Sequence, residues 1–132
     1  MTIVIRPAKP EDLNFIRDSW RSSLWKNVVD VAWVDFDTHF EGMEALWKGI
    51  NDRARYSVAE FKDVPGTILG YAVHLDPQNC LWVYVKAPYR RQGIGTALLQ
   101  DSKRLGTITR TGRLLAISVN GTFDPYMHLR TT

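Results

Sequence analysis

The segment from residue 54 to residue 87 most constrains the fold, because it holds three β-rich runs joined by hairpin-length connections. The runs are ARYSVAEF, TILGYAVHL and CLWVYVKA, and the short segments DVPG and DPQN separate them. Runs of this length predict strands, and connections this short predict that successive strands are antiparallel. We therefore expect a three-stranded antiparallel sheet at the centre of the chain.

The amino-terminal third predicts one strand and two helices. Ile3 and Ile5 indicate a short strand before Pro7, and Pro10 begins a helix that runs to about Trp25. Its apolar face is Leu13, Ile16, Trp20 and Leu24. A second helix begins at Asp37 or Thr38, either of which can cap it, and ends near Arg53. Its apolar face is Phe40, Met43, Trp47 and Ile50. Residues 26–37 are expected to form a semi-ordered apolar loop.

The third β-rich run leads into the turn PYRRQGIG and the helical run TALLQDSKRLG, where Ala97, Leu98 and Leu105 are expected to face the sheet. Gly106 is placed to end this helix, and LLAISV then predicts a buried fifth strand. This order of elements indicates an α+β domain with a mostly antiparallel sheet and one β-α-β crossover. At 132 residues, against about 150 for a typical domain, residues 1–132 are expected to form a single domain.

Composition excludes several classes of protein. The amino terminus has no apolar signal-peptide core and no run of about 18 apolar residues occurs, so we expect a cytoplasmic protein without membrane contact. The single cysteine, Cys80, cannot form an internal disulfide, and we expect a buried side chain there and no metal site. His39 and His128 are expected on the surface. The net charge is only +3, and the sequence lacks the runs of Lys and Arg that are typical of a dedicated nucleic-acid binder. We therefore expect no nucleic-acid partner.

The turn between the third run and the next helix carries the main functional signal, Arg90-Arg91-Gln92-Gly93-Ile94-Gly95-Thr96. Such a turn places backbone N–H groups at the positive end of a helix dipole, where they bind phosphate. A Walker loop is excluded, because Thr96 and Ala97 follow Gly95, and a dinucleotide fingerprint would need glycine or alanine in place of Leu98. A glycine turn that merely starts a helix beside a strand remains the alternative.

Arg90-x-x-Gly93-x-Gly95 resembles the acyl-coenzyme A signature of the GNAT superfamily of N-acetyltransferases. The preceding strand, CLWVYVKAPYR, is similar to that family's fourth strand, and the element order from Ile3 to Val119 resembles its fold. The carboxyl terminus resembles the abbreviated members found in phages and prophages. The resemblance implies a GNAT-like, acyl-CoA-binding fold. It also implies an acetyl-CoA-dependent enzyme that moves an acetyl group to a primary amine of a small molecule, peptide or protein by direct attack.

The resemblance also implies roles for particular residues. The donor would be bound by Val85, Arg90, Arg91, Gln92, Gly93, Ile94, Gly95 and Thr96. In that arrangement Val85 pairs its backbone with the pantetheine arm, and the amide of Val83 faces the thioester carbonyl. Tyr126 is the expected general acid, and an anchoring side chain in the core is its alternative role. Many relatives place a basic glutamate near the start of the fourth strand, but this chain has none in register. Asp76, His74 and Glu60 are the substitutes, each weighed against a role as an ordinary surface residue.

Two other functions remain open at this stage. One is a non-enzymatic acyl-CoA-binding or interaction module, which the missing glutamate favours. The other is an acetyltransferase toxin that acts on charged tRNA, for which the sequence pI of about 9.2 is the only support. A homodimer is also expected, because the sequence ends 13 residues after Val119 and would leave an unfinished sheet edge for a partner to cover.

Overall fold

The strands of this computed structural model form one sheet across the described residues, which are 2–27, 35–50, 52–76, 79–99, 104–105 and 122–123. In spatial order, which is also chain order, the strands are β1 (Ile3–Pro7), β2 (Arg55–Phe61), β3 (Val64–Asp76), β4 (Asn79–Val85), β5 (Arg104–Leu105) and β6 (Thr122–Phe123). Strands β1 to β4 are antiparallel, whereas β5 is parallel to β4 and β6 is parallel to β5. The predicted α+β class, with its mostly antiparallel sheet and β-α-β crossover, is confirmed.

Three α-helices of the described residues cover the two faces of this sheet. They are α1 (Pro10–Asn27), α2 (Phe36–Ile50) and α3 (Ile94–Leu99). Side chains alternate between the faces of a strand, and on β3 Tyr71 and Val73 pack with α1 and α2 whereas Ala72 packs with α3. The helices α1 and α2 therefore lie on one face of the sheet, and α3 lies on the other.

The core between α1, α2 and the sheet is built around tryptophan. The Trp20 ring centroid lies 6.1 Å from that of Trp47 and 5.9 Å from that of Trp82, with the second pair nearly parallel. Ile16, Met43 and Ile50 complete this layer. The predicted apolar faces of the two helices are thus confirmed at most positions, and this rigid layer fixes α1 against β3 and β4.

The start of α2 differs from the prediction. Its cap is Asp35, not Asp37 or Thr38, because an Asp35 carboxylate oxygen accepts the Thr38 backbone N–H at 2.8 Å. The helix begins at Phe36 and ends at Ile50. His39 is buried, whereas Phe40, which was expected on the apolar face, is 37% exposed. His39 was expected on the surface, but its Nε2 atom lies 2.8 Å from the backbone oxygen of Arg21, which pairs this polar ring inside the fold.

The segment after α3 also differs from the prediction. Leu105 does not continue the helix, because Arg104 and Leu105 pair with Asn79 and Cys80 of β4 in a parallel ladder. Ala97 is exposed rather than facing the sheet, whereas Leu98 is buried as expected. The strand predicted at 114–119, Gly106, His128 and most of the loop 26–37 lie outside the described residues.

An ion-pair cluster joins the amino-terminal elements. The Arg6 guanidinium lies 2.8 Å from the Asp12 carboxylate at the start of α1 and 2.9 Å from the Glu60 carboxylate on β2. Both acidic residues are buried, so each needs this partner to offset the loss of water. No helix among the described residues has the length and apolarity required to cross a membrane.

Candidate functional site

The outer edge of β4 carries backbone groups that point away from β3. Lys86 donates its N–H to the Leu69 carbonyl at 2.9 Å, and the same register continues through Gly70 opposite Val85 and Ala72 opposite Val83. Antiparallel partners alternate between hydrogen-bonded and non-hydrogen-bonded pairs. Because Lys86 belongs to a bonded pair, Val85 and Val83 belong to non-bonded pairs, and their N–H groups face the outer edge.

A bulge lies directly before these two valines. On β3, Val73 and His74 are consecutive, but their partners on β4 are Trp82 and Cys80, which leaves Leu81 as an extra residue. A bulge increases the local twist of a strand and re-aims the residues beside it. Strand β5 pairs only with Asn79 and Cys80, so no strand of the described residues covers Val83 or Val85 on the outer side. Among the described residues, the outer edge of β4 is therefore paired at its start and open beyond the bulge.

The glycine turn follows this open edge at once. A 3-10 turn spans Ala87–Tyr89, Arg90 is extended, and Arg91 and Gly93 have left-handed φ values of 65° and 81°. Helix α3 then begins, with the Ala97 N–H donating to the Gly93 carbonyl at 3.0 Å. The first four N–H groups of a helix have no acceptor within it, and such turns gather N–H groups around an anion. The residues from Arg91 to Thr96, which we call the cradle, thus have a backbone arrangement that could hold a negatively charged group.

Arg91 is the strained residue of this cradle. A left-handed conformation costs a residue with a side chain about 1–2 kcal/mol, and glycine would avoid that cost. Strained backbone that the surrounding fold maintains is common at binding sites. The conformation of Arg91, together with the open space around the Cα of Gly93, therefore points to the same cradle as the motif does.

Gly70 sets how closely α3 and the end of β4 approach β3. A Cβ atom at this position would lie 2.6 Å from the Tyr84 carbonyl oxygen and 3.2 Å from the Leu98 Cδ1 atom. The first distance requires a backbone shift, whereas the second requires the Leu98 side chain to move by a few tenths of an ångström. The glycine therefore allows β3, the end of β4 and α3 to pack closely, which helps to position the turn that joins β4 to α3.

The Arg90 side chain binds the outward-facing carbonyl of Val85 on this edge. Its Nε–H donates to the Val85 carbonyl at 2.8 Å, and its guanidinium lies 5.6 Å from the ring centroid of Tyr84. This contact confirms that the Val85 backbone faces outward. The Arg90 side chain is thus held beside the strand, although the motif alone suggested only that it adds positive charge to the turn.

The three substitutes for the missing base lie in different surroundings. Glu60 accepts the Gly66 N–H at 2.9 Å and pairs with Arg6, and both contacts hold the pKa of its carboxyl below the ordinary value. A lowered pKa makes a weak base, and β2 lies two strands away from β4 in the sheet. Glu60 therefore has a structural role in the ion-pair cluster.

His74 and Asp76 lie near the start of β4. Burial lowers the pKa of the His74 imidazole, although a hydrogen bond to the Leu99 backbone and the nearby Asp76 charge oppose the shift. Its Nε2 atom is buried and has no hydrogen-bond partner among the described residues. The Asp76 carboxylate accepts an N–H from the Asn79 side chain at 2.6 Å and is only half-buried. Asp76 is therefore the more accessible of the two.

Cys80 is buried, as expected. Its thiol lies 3.3 Å from the Trp82 carbonyl, to which it donates, and burial raises the pKa of the thiol to about 12. Since the thiolate is the nucleophilic form, this thiol does not act as a nucleophile at neutral pH. Tyr126 lies outside the described residues.

Sequence reasoning missed a group of side chains on the α1 side of the open edge. Tyr84 and Lys86 alternate with Val85 on the strand, which was a usable signal for a shared face. Their neighbour Phe15, whose ring centroid lies 4.9 Å from the Lys86 Nζ atom, comes from α1. Nothing in the local pattern of α1 indicates that contact, because it depends on how the helix packs on the sheet.

A strand edge left open by the described residues, followed by a turn that gathers backbone N–H groups, could hold an extended ligand with a phosphate group. Comparison with known proteins makes this more specific, because residues 52–122 match the family model described as "Acetyltransferase (GNAT) domain". This match covers more than half of the chain. The chain therefore belongs to the GNAT family of acetyltransferases, whose acyl donor is acetyl-CoA.

Solved structures agree on the fold. A GCN5-related N-acetyltransferase from Ralstonia eutropha JMP134 superposes with a TM-score of 0.62 at 17% identity, covering 89% of this chain and 90% of that one. A ribosomal-protein-alanine N-acetyltransferase from Brucella melitensis biovar Abortus 2308 gives a TM-score of 0.59 at 17% identity, with 90% and 91% covered. At this identity the likeness concerns the fold alone. No curated protein matches this chain in sequence.

Proposed function

We propose that this chain is an acetyl-CoA-dependent N-acetyltransferase that moves the acetyl group to a primary amine by direct attack. One observation carries the proposal. The N–H groups of Val83 and Val85 face outward from the edge of β4, and this edge is followed closely by the cradle between Arg91 and Thr96. The donor has a matching layout, with an amide-containing arm and a pyrophosphate joined in one extended molecule. Family membership supports the same conclusion.

The cradle would bind the pyrophosphate of the donor. The backbone N–H groups from Arg91 to Thr96, including those of Gln92, Ile94 and Gly95, are the proposed donors, and Arg90 and Arg91 add positive charge. Val85 would donate its N–H to an amide carbonyl of the pantetheine arm, as one strand does to the next. These contacts hold the donor along the open edge and direct its acyl end toward the bulge.

Val83 would stabilise the developing charge. The donor supplies a thioester, whose carbonyl carbon the amine attacks while negative charge grows on the carbonyl oxygen. A fixed N–H donor at that oxygen is worth about 2.7–4 kcal/mol of barrier. The Val83 N–H is fixed by the pairing of β4 with β3, so it needs no rearrangement during the reaction. No covalent intermediate with the protein is required.

Two side chains are proposed to handle protons. Asp76 would accept the proton of the attacking amine, and Tyr126 would donate one to the departing thiolate. Asp76 lies four residues along β3 from the partner of Val83, or about 13 Å at 3.3 Å per residue, so its proton transfer would pass through water. The half-buried carboxylate and its bond from Asn79 are consistent with such a position.

Calorimetry with acetyl-CoA tests the assignment of the cradle. The double variant Gly93→Asp, Gly95→Asp is expected to lose binding, because each carboxylate would occupy the cradle and repel phosphate. Gly66→Asp is a matched control, since Gly66 also has a left-handed φ, a Cβ added there would meet nothing within 4 Å, and it lies near the start of β3, away from the cradle. Undiminished binding by a folded double variant would remove the cradle from the proposal.

Turnover separates the enzyme from a binding module. Release of free coenzyme A thiol is measured while acetyl-CoA and a panel of primary amines are supplied. We expect amine-dependent release by the wild type and none by the double variant. Binding of acetyl-CoA without release for any amine would instead favour the non-enzymatic acyl-CoA-binding module.

A further inference from the structure

The bulge in β4 places two consecutive side chains on the same face of the sheet. Leu81 and Trp82 both pack in the core with α1 and α2. Cys80 and Val83, which flank them, pack with α3 on the other face. A bulge disrupts the ladder of backbone hydrogen bonds locally, so side-chain contacts become more important for holding the strand. The peptide between Trp82 and Val83 follows directly, and its N–H group is the one proposed to face the thioester oxygen.

The carbonyl end of this peptide is held from the α3 side. The Cys80 thiol donates to the Trp82 carbonyl oxygen at 3.3 Å, and both residues are buried. The thiol remains protonated at neutral pH, because burial raises its pKa to about 12, and it therefore keeps its donor. A trans peptide is planar, with its C=O and N–H groups pointing in opposite directions. A bond that holds the Trp82 carbonyl therefore also sets the direction of the Val83 N–H group.

The indole ring of Trp82 is held from the α1 side. Its Nε1–H donates to the Tyr71 hydroxyl at 3.3 Å, and this hydroxyl donates to the Ser19 Oγ atom at 2.9 Å. The Trp20 ring stacks on the same indole, with 5.9 Å between centroids and 21° between ring planes. Tyr71 is fully buried. Hydrogen bonds and stacking thus fix the Trp82 side chain to β3 and to α1.

The direction of the Val83 N–H group decides how well it can act on the reaction. A hydrogen bond weakens steeply as its angle departs from linear, and a functional group must be held within about 0.5 Å and 10–20° of its productive geometry. Pairing with β3 constrains this N–H group, but the ladder is interrupted at Leu81. The bonds to the Trp82 carbonyl and to the Trp82 indole add constraint at that point.

We propose that Cys80 and Tyr71 are positioning residues for acetyl transfer, which hold Trp82 from opposite faces of the sheet and so direct the Val83 N–H group at the thioester oxygen. This inference rests on the proposed function and deepens it, because it names the side chains that direct the N–H group. Neither side chain touches the donor. Both act through Trp82.

The amide proton of Val83 gives a direct test that needs no acceptor amine. In isotope-labelled protein, its NMR resonance is compared at saturating acetyl-CoA and at saturating coenzyme A, which lacks the thioester carbonyl. Acetyl-CoA should move the wild-type resonance downfield relative to coenzyme A, because the amide gains a hydrogen bond. The shift should be smaller in Cys80→Ala and in Tyr71→Phe. It should be retained in Cys80→Ser, whose hydroxyl can still donate to the Trp82 carbonyl.

Turnover with the best amine of the panel measures the effect on the reaction. Cys80→Ala and Tyr71→Phe are each expected to lower kcat about 5- to 20-fold, less than the factor of about 10²–10³ for losing a whole oxyanion donor. The Kd of acetyl-CoA should not change. The kcat/KM for the amine should fall by the same factor as kcat, as it does when the lost interaction belongs to the transition state. Cys80→Ser should restore the wild-type kcat.

Two matched variants control for lost packing and stability. Tyr56→Phe also removes a buried tyrosine hydroxyl from the α1 side of the sheet, but that hydroxyl has no hydrogen-bond partner among the described residues. Leu69→Val removes a methylene group from the core that contains Cys80. Both controls should keep the wild-type kcat and the wild-type Val83 shift. Urea denaturation measures the stability of every variant.

Several results would overturn the inference. A Val83 shift that is undiminished in Cys80→Ala and Tyr71→Phe would do so, as would equal kcat defects in the two controls. If Tyr71→Phe does not fold, the comparison of Cys80→Ala with Cys80→Ser decides alone, and equal defects in both would contradict the role of the thiol donor. Failure of the proposed function looks different, because acetyl-CoA would then bind to the wild type without moving the Val83 resonance, or would not bind.

Discussion

Individual residues contribute to the proposed site mainly through the main chain. Val83 and Val85 place their side chains in the core with α3, and their N–H groups face the outer edge of β4 because of strand register. Any strand-forming apolar residue could supply the same N–H groups. The sequence could therefore indicate these positions only through the adjacent glycine motif, and the bulge that leaves Leu81 as an extra residue has no local signature.

Asp76 and Tyr126, the side chains proposed to transfer protons, can be tested by substitution. Asp76→Asn and Tyr126→Phe are each expected to lower kcat by about 10²- to 10⁴-fold, the usual contribution of a general base or acid. Acetyl-CoA affinity should not change, because neither residue belongs to the cradle. The Asp76→Asn defect should shrink as pH rises, since more of the amine is then unprotonated without help. Stopped-time assays of thiol release across pH measure both effects.

Asp63→Asn is the control for Asp76, because Asp63 is an exposed carboxylate in the turn between β2 and β3. It should show wild-type kcat at every pH. A pH-independent defect in Asp76→Asn would assign Asp76 a structural role through its bond with Asn79. An unchanged kcat in Tyr126→Phe would leave Tyr126 only its alternative role as an anchor.

Helices and strands were predictable where the spacing of apolar residues along the sequence indicates which face is buried. The faces of α1 and α2 and the three antiparallel runs follow from helical and strand spacing, which depends on neighbouring residues alone. Strand β5 was not predictable in this way, because Leu105 continues an apparently helical pattern and pairs with Cys80 through a tertiary contact. The cap of α2 was missed because Asp35 lies three residues before Thr38 in a segment with weak turn chemistry.

The close packing of β3, β4 and α3 at Gly70 can be tested by substitution. Gly70→Ala is expected to destabilise the protein by about 1–3 kcal/mol, as overpacking does, because its Cβ would meet the rigid Tyr84 carbonyl at 2.6 Å. The backbone must shift where β4 leads into the cradle, so acetyl-CoA binding should also weaken. Urea denaturation and calorimetry measure the two effects.

Gly42→Ala is the control, because Gly42 lies on an exposed position of α2 with nothing within 4 Å of an added Cβ. Alanine favours a helix over glycine by about 1 kcal/mol, so this variant should be more stable than the wild type with unchanged binding. A Gly70→Ala protein of wild-type stability and affinity would show that the close approach does not fix the cradle.

For the whole molecule, stability depends on groups whose pKa differs between the folded and unfolded states. The Arg6 guanidinium holds the pKa of the Asp12 and Glu60 carboxyls below their ordinary values. The unfolded state therefore binds more protons than the folded state as pH falls toward these lowered values. The stabilisation from β1, α1 and β2 is fully present above the ordinary carboxyl range, about pH 4–4.5, and is lost below it.

His74 adds a second, higher window of acid sensitivity. Burial lowers the pKa of its imidazole from 6.5, so the folded state resists a proton that the unfolded state accepts. Stability is then complete above about pH 6.5 and falls as pH drops toward the lowered value, with a slope of at most about 1.4 kcal/mol per pH unit for one group. In His74→Asn, the urea midpoint should change less between pH 6.5 and pH 5 than it does in the wild type. The steeper loss of stability below pH 4.5 should remain. Urea titrations of both proteins from pH 4 to pH 8 measure this, and an unchanged slope between pH 5 and 6.5 in the variant would show that His74 is not the group responsible.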